Sequence, residues 1–233
     1  GITALIKPLQ VSSGTLKREF PLLFAMCLLA VYVLHDQMLT FYEGAFLIGM
    51  FFVVLAGMGW LSVYAEKGDK LADDNESEIP TGVSTSVAVL WVFVGLVMLP
   101  LSAHFLVESA VFIAKYFGIS DLVIGLTIIA LGTSLPELAA CIAGVLKGED
   151  DLAMGNIIGS NIFNILAVLG MPGLIAPGLI DPAAATRDMY VMLGLTVMLL
   201  VFSFNFVGTR RINRVEASIL LASFIGYQFL LFA

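Results

Sequence analysis

Charged side chains are scarce in this sequence. Only 12% of its 233 residues are Asp, Glu, Lys or Arg, against roughly 25% in an ordinary soluble domain. Hydrophobic residues make up 60%, more than one water-soluble core of this length can hide. A cytosolic enzyme, a nucleic-acid binder and a disordered regulator are excluded. Cysteine is nearly absent as well. Cys27 and Cys141 both lie inside apolar runs, so they read as small packing residues and not as a disulfide framework. The first apolar stretch does not read as a secretory leader, because Lys7 and Pro8 interrupt it too early. The class that remains is an all-α polytopic membrane protein whose main partner is the lipid bilayer.

A bilayer core of about 30 Å needs about 20 helical residues. Seven apolar runs are predicted to supply spans: 20–34, 41–65, 87–107, 122–146, 152–177, 189–207 and 217–233. The third should begin near Thr85 and continue to Tyr116, stopping at Gly118. A helix of that length, about 48 Å at 1.5 Å per residue, must tilt or bend, with Pro100 as the expected bend. Residues 66–84 form the one long hydrophilic connection, acidic and read as a solvated cytoplasmic loop. Alternate loops divide the basic residues unevenly. Lys7, Lys17, Arg18, Lys67, Lys70, Lys147, Arg210, Arg211 and Arg214 fall on one side; only Lys115 and Arg187 fall on the other. The first set should be cytoplasmic.

Residues 1–23 and 170–192 align without gaps. Gly1, Leu5, Ile6, Pro8 and Arg18 match Gly170, Leu174, Ile175, Pro177 and Arg187, and Glu19 faces Asp188. By the charge division the two copies sit on opposite sides of the membrane, which makes them an inverted repeat, a common plan in transporters. Two helices rich in polar residues precede the second copy, and their counterparts should precede the first. The expectation is therefore that this sequence is the C-terminal part of a longer transporter, with the first repeat's polar helices missing. The chain divides into the end of one repeat (1–65), the acidic loop (66–84) and a second repeat (85–233).

Those two helices carry the chemistry. Gly132-Thr133-Ser134-Leu135-Pro136-Glu137 stands at the centre of the run 122–146, with Glu137 about 5 Å from the midplane at 1.5 Å per residue. A carboxylate at that depth needs a reason. Pro136 cannot donate to the carbonyl of Gly132 and crowds it, so backbone oxygens near Ala130, Gly132 and Thr133 are released and need a partner or a cavity. A bound cation would satisfy carbonyls and carboxylate together. In the next run Asn156, Ser160 and Asn164 recur on one face at matching depth, with Asn161 on a neighbouring face. Gly155 and Gly159 form a GxxxG pair suited to close helix approach. Hard oxygen donors without His or thiolate favour sodium or calcium over zinc or copper. His104 with Glu108 reads as an interfacial pair, and Glu43 and Glu216 as acids reaching water near span ends.

GTSLPE in one helix followed by GNIIGSNIFN in the next resembles the second alpha-repeat of the cation/calcium exchanger superfamily, in particular the bacterial YrbG-like branch of sodium/calcium exchanger proteins. The resemblance covers the chain in span order. It implies a fold of ten helices in two inverted five-helix halves, here from the end of the third helix onward, in a bacterial inner membrane. It implies antiport of calcium against sodium by alternating access, or against protons in some branches, with no cofactor and no enzymatic activity. Carried over, the family's ion ligands fall on the Ala130 carbonyl, Thr133, Ser134, Glu137, Ser160 and Asn164. Some members have Asp where this chain has Asn164, which leaves the counter-ion open. The family's long sliding helix matches residues 85–116. A different class also fits the residues: a multi-helix channel or receptor-like protein in which the polar side chains only pack helices. An intramembrane hydrolase lacks support, since Ser134 has no nearby Lys or His base.

Overall fold

The computed structural model describes residues 1–12, 14–64, 84–119, 124–204 and 210–231. The acidic connection expected at 66–84 lies outside them except for its last residue. Within the described residues each apolar run is mostly helix. In chain order the elements are α1 (Ile2–Ile6), β1 (Leu9–Gln10), a π segment (Thr15–Glu19), α2 (Phe20–Val33), β2 (Met38–Leu39), α3 (Phe41–Tyr64) and α4 (Thr85–Tyr116). A π segment (Gly125–Ile129), α5 (Ala130–Thr133), α6 (Leu135–Lys147) and α7 (Asp150–Phe163) follow. Then come a π segment (Asn164–Val168), α8 (Gly170–Ile175), β3 (Gly178–Leu179), a π segment (Ala184–Asp188), α9 (Met189–Phe204), β4 (Arg211–Ile212) and α10 (Arg214–Leu231). Among the described residues four helices, Phe41–Trp60, Thr85–Tyr116, Asp150–Ile175 and Ala184–Phe204, are long and apolar enough to cross a bilayer, and the bent pair Thr127–Thr133 with Leu135–Lys147 makes a fifth if it is one span.

The aligned segments fold alike. Leu9–Gln10 and Gly178–Leu179 are both strands, Thr15–Glu19 and Ala184–Asp188 are both π segments, and α2 and α9 both begin on the next residue. After a short insertion the match resumes, with Met38–Leu39 answering to Arg211–Ile212 and α3 to α10. The strands pair crosswise: β1 with β4, and β2 with β3. Exchanging the copies turns one pair into the other, the signature of a two-fold relation. Val11 N donates to Arg210 O (3.0 Å) and its counterpart Ile180 N to Gln37 O (2.8 Å). The aligned register carries Cys27 onto Thr196, and these two residues touch, Sγ to Oγ1 at 3.6 Å. A residue in contact with its own counterpart lies on the axis, so α2 and α9 cross there.

Similar capping opens the two matched helices. Glu43 Oε2 accepts from Thr40 N (2.8 Å) and Thr40 Oγ1 (2.7 Å) ahead of α3. Glu216 Oε2 accepts from Asn213 N (2.7 Å), and Asn213 Oδ1 accepts from Glu216 N (3.0 Å) ahead of α10. These are capping boxes. Both acids stay partly exposed near their span ends and also turn back on the backbone, because orphan N–H groups at a helix start are the nearest donors.

The core lies where α2 meets α7. Phe20, Leu23, Cys27 and Ala30 pack with Met154, Ile158, Ile162 and Leu166, joined by Leu47 of α3. Helices α3 and α8 approach until backbones touch: a Cβ on Gly44 would stand 2.8 Å from Gly173 Cα. Small residues at such a crossing are the usual means of packing helices in lipid. Gly155 and Gly159, the GxxxG pair expected to do this, face open space instead: a Cβ on either would have nothing within 4 Å among the described residues. Helix α4 runs unbroken through Pro100 and buries only Ala114. It ends as its sequence foretells: Gly118 has φ +75°, with Gly118 N donating to Lys115 O and Ile119 N to Ala114 O, the double bond of a Schellman stop.

Candidate functional site

Pro136 sits in the first turn of α6, where a missing N–H costs nothing. The helix before it therefore cannot continue in register. Ser134, at φ −95° and ψ 2°, joins α5 to α6, and the two halves are bent by 43°. Hydrogen bonding resets around it, with Ser134 N donating to Leu131 O and Leu138 N to Ser134 O. Val107 of α4 packs against Gly132 where any Cβ would overlap it, so the break is braced by the long helix.

Glu137 falls in the first turn of α6, the end of a helix that favours negative charge. Its Oε2 is buried and has no hydrogen-bond partner among the described residues. An acceptor in that state costs several kcal/mol in hydrocarbon. Antiparallel to α6 runs α7, brought back by a tight turn in which Gly148 N donates to Val145 O and Glu149 N to Gly144 O. Ser160 Oγ and Asn161 Nδ2 both donate to Ile157 O, at 3.1 and 2.8 Å. Asn164 opens the π segment, and its carbonyl accepts from Leu169 N (2.9 Å). Single π turns recur at functional sites because they widen the helix and re-aim its side chains.

A cavity of about 510 Å³ lies between these helices. Thr133, Ser134 and Glu137 line one wall, and Ser160, Asn161 and Asn164 another. Five of the six residues singled out from the sequence meet there. Ala130 is outside the lining, and its carbonyl accepts from Thr133 Oγ1 (3.2 Å). Asn156 also departs from expectation: it shares the helical face of Ser160 and Asn164 by spacing but is not on the cavity, and Asn161 takes a place there instead. Simple 3.6-residue spacing puts Asn161 on the neighbouring face; only the packing angle of α7 on α6 shows which flank faces inward. Thr3 of α1 and Cys141 are lining residues that the motif does not single out. Among the described residues no group of three His, Cys, Asp or Glu side chains could hold a metal ion.

A multi-pass helical bundle with an interrupted helix at its centre, facing a polar neighbour across a cavity, defines the class of membrane transporters, not enzymes. Comparison with known proteins makes this specific. Residues 87–233 match the family described as sodium/calcium exchanger protein. The chain is 56% identical over 233 residues to the putative antiporter CaxA of Alkalimonas amylolytica, covering all of this chain and 73% of that one. It is 45% identical over 200 residues to the inner membrane protein YrbG of Escherichia coli, covering 85% of this chain and 62% of YrbG. The sodium-calcium exchanger NCX_Mj shares the fold, with a TM-score of 0.75 at 24% identity over 96% of this chain and 68% of that one. The chain belongs to the sodium/calcium exchanger family, whose class is the secondary-active cation antiporter working by alternating access.

Proposed function

We propose that the full-length protein exchanges calcium for sodium across a bacterial inner membrane, and that Thr133, Ser134, Glu137, Ser160 and Asn164, the five expected residues that line the cavity, supply this chain's ion ligands. One observation carries the reading. A buried, unpartnered carboxylate oxygen on Glu137 belongs to a residue lining a cavity shared with the hydroxyls of Thr133, Ser134 and Ser160 and the carboxamides of Asn161 and Asn164. A cation satisfies that oxygen at no cost in unpaired neighbours. Calcium takes six to eight oxygens at about 2.3–2.6 Å, more than this set holds, and one carboxylate underbalances a divalent charge. The remaining ligands, including a second acid, belong to a matching helix pair of the first repeat. In support, the elements at 1–65 recur in order within 85–233, and the chain spans 73% and 62% of its two named relatives. Among the described residues Glu137 is the one acid lining the cavity. Asn164, an amide, cannot titrate, which removes one possible proton-coupling group. Lys7, Arg210 and Arg214 gather at one end of the bundle with β1 and β4, in keeping with a cytoplasmic face there.

The test is calcium flux in vesicles holding the full-length protein, under an imposed sodium gradient. Glu137→Gln should abolish exchange while leaving the protein folded in the membrane. Normal flux in that variant, or flux driven by a proton gradient alone, would sink the corresponding part of the proposal.

A further inference from the structure

Asn156 joins the two site-bearing helices at the backbone of Glu137 itself. Its side chain turns from the cavity toward α6, where Nδ2 donates to the Glu137 carbonyl at 3.1 Å and to Cys141 Sγ at 3.2 Å. The acceptors are one helical turn apart, so both amide protons are engaged on a single face of α6. Cys141 closes the bridge by donating to Ala153 O of α7 at 3.5 Å. These contacts matter because α6 begins at a break. Its first turn is held to α5 only through Ser134, without a continuous backbone ladder. The depth of Glu137 is thus set by what grips α6 from the side. A cation held at about 2.3–2.6 Å by oxygens of two helices does not tolerate an ångström of sliding between them.

We infer that Asn156 is a positioning residue for ion exchange, holding the main chain of Glu137 in register with Ser160 and Asn164 across the cavity. The inference rests on the ion-site reading of Glu137 proposed above. Asn156 touches no ion; it acts through the carbonyl it holds.

The experiment uses full-length protein in vesicles, with sodium-driven calcium uptake measured over a range of calcium concentrations and melting temperature measured in parallel. Asn156→Ala removes both donors at a position where alanine favours helix. It should raise KM for calcium about tenfold, equivalent to about 1.4 kcal/mol, with maximal rate unchanged and the protein still folded in the membrane. Asn156→Ser keeps one shorter donor and should fall between the two. Cys141→Ala should raise KM less than Asn156→Ala, and combining them should add little, since both act in one bridge. An unchanged KM in Asn156→Ala, beside an inactive Glu137→Gln, overturns the positioning role and spares the ion site. So does a loss of maximal rate and melting temperature at constant KM. Normal flux in Glu137→Gln overturns the ion site and this inference with it. If Asn156→Ala does not reach the membrane, Asn156→Ser decides alone: a raised KM supports the role and an unchanged one refutes it.

Discussion

Gly132 shows how one residue type ties the broken helix to its brace. Val107 occupies the space where a Cβ would go. Overpacking of this kind costs typically about 1–3 kcal/mol. Gly132→Ala should therefore lower thermal stability, and adding Val107→Ala should recover most of the loss. A single variant as stable as the wild type would show that α4 does not press on the break. The sequence alone shows Gly132 next to the break but not the partner above it. Glu137 is legible there because a mid-membrane acid beside proline has few innocent explanations. Asn161 is less so, since its inward aim depends on how α7 rolls against α6.

At the scale of elements, α4 is loosely attached: among the described residues Ala114 is its only buried residue. Its contacts with the rest centre on α5, α6 and the π segment before them. In the exchange cycle proposed above, we expect it to be the element that moves past the ion site. A Cβ built on Gly132 stands 3.5 Å from Val107 Cβ, within the range of a disulfide. Cysteines at 107 and 132 should form one under oxidation, while the buried Cys27 and Cys141 stay unreacted. Transport should stop, calcium binding should persist, and reduction should restore exchange. Undiminished transport in the oxidised protein would be fatal to the idea. The matched caps predict matched costs: Glu43→Ala and Glu216→Ala should each lose about 1 kcal/mol in equilibrium unfolding. Both T/N-x-x-E patterns are visible in the sequence, but a capping box needs the helix start to be located first, and apolar periodicity locates starts only to within a few residues.

At the scale of the whole molecule, one contact ties residues near the N-terminus to the α6–α7 turn. Asp150, 8% exposed, accepts from Gln10 N at 3.1 Å and faces Lys7 Nζ at 3.7 Å. Lys7 Nζ also donates to Val145 O at 3.0 Å. The N-terminal arm that carries β1 thereby grips the α6–α7 turn, and β1 is itself bonded to β4. Lys7→Met would leave a buried carboxylate with one partner fewer. Such groups cost about 1–3 kcal/mol, so stability should fall by that order, and Lys7→Met with Asp150→Asn should fall less than the single change. Equal loss in both would mean the pair contributes no more than its packing. Nothing local in the sequence links these partners, since Gln10 and Asp150 stand 140 positions apart.

Local rules determined much of this protein. Apolar runs, with a backbone that must satisfy its own hydrogen bonds in lipid, dictated helices and their approximate ends. The aligned segments announced the two-fold plan, and the proline–glutamate pair marked the broken helix. All of these depend on neighbours in the chain or on matching of one stretch to another. The tertiary structure alone decided which faces meet: that Gly44 and Gly173, not Gly155 and Gly159, make the close crossing, and that Cys27 rests on Thr196 at the axis. It also decided that Asn161 lines the cavity while Asn156 grips Glu137. Helical periodicity places a side chain around its own axis, but the roll and depth of one helix against another come from packing the whole set together.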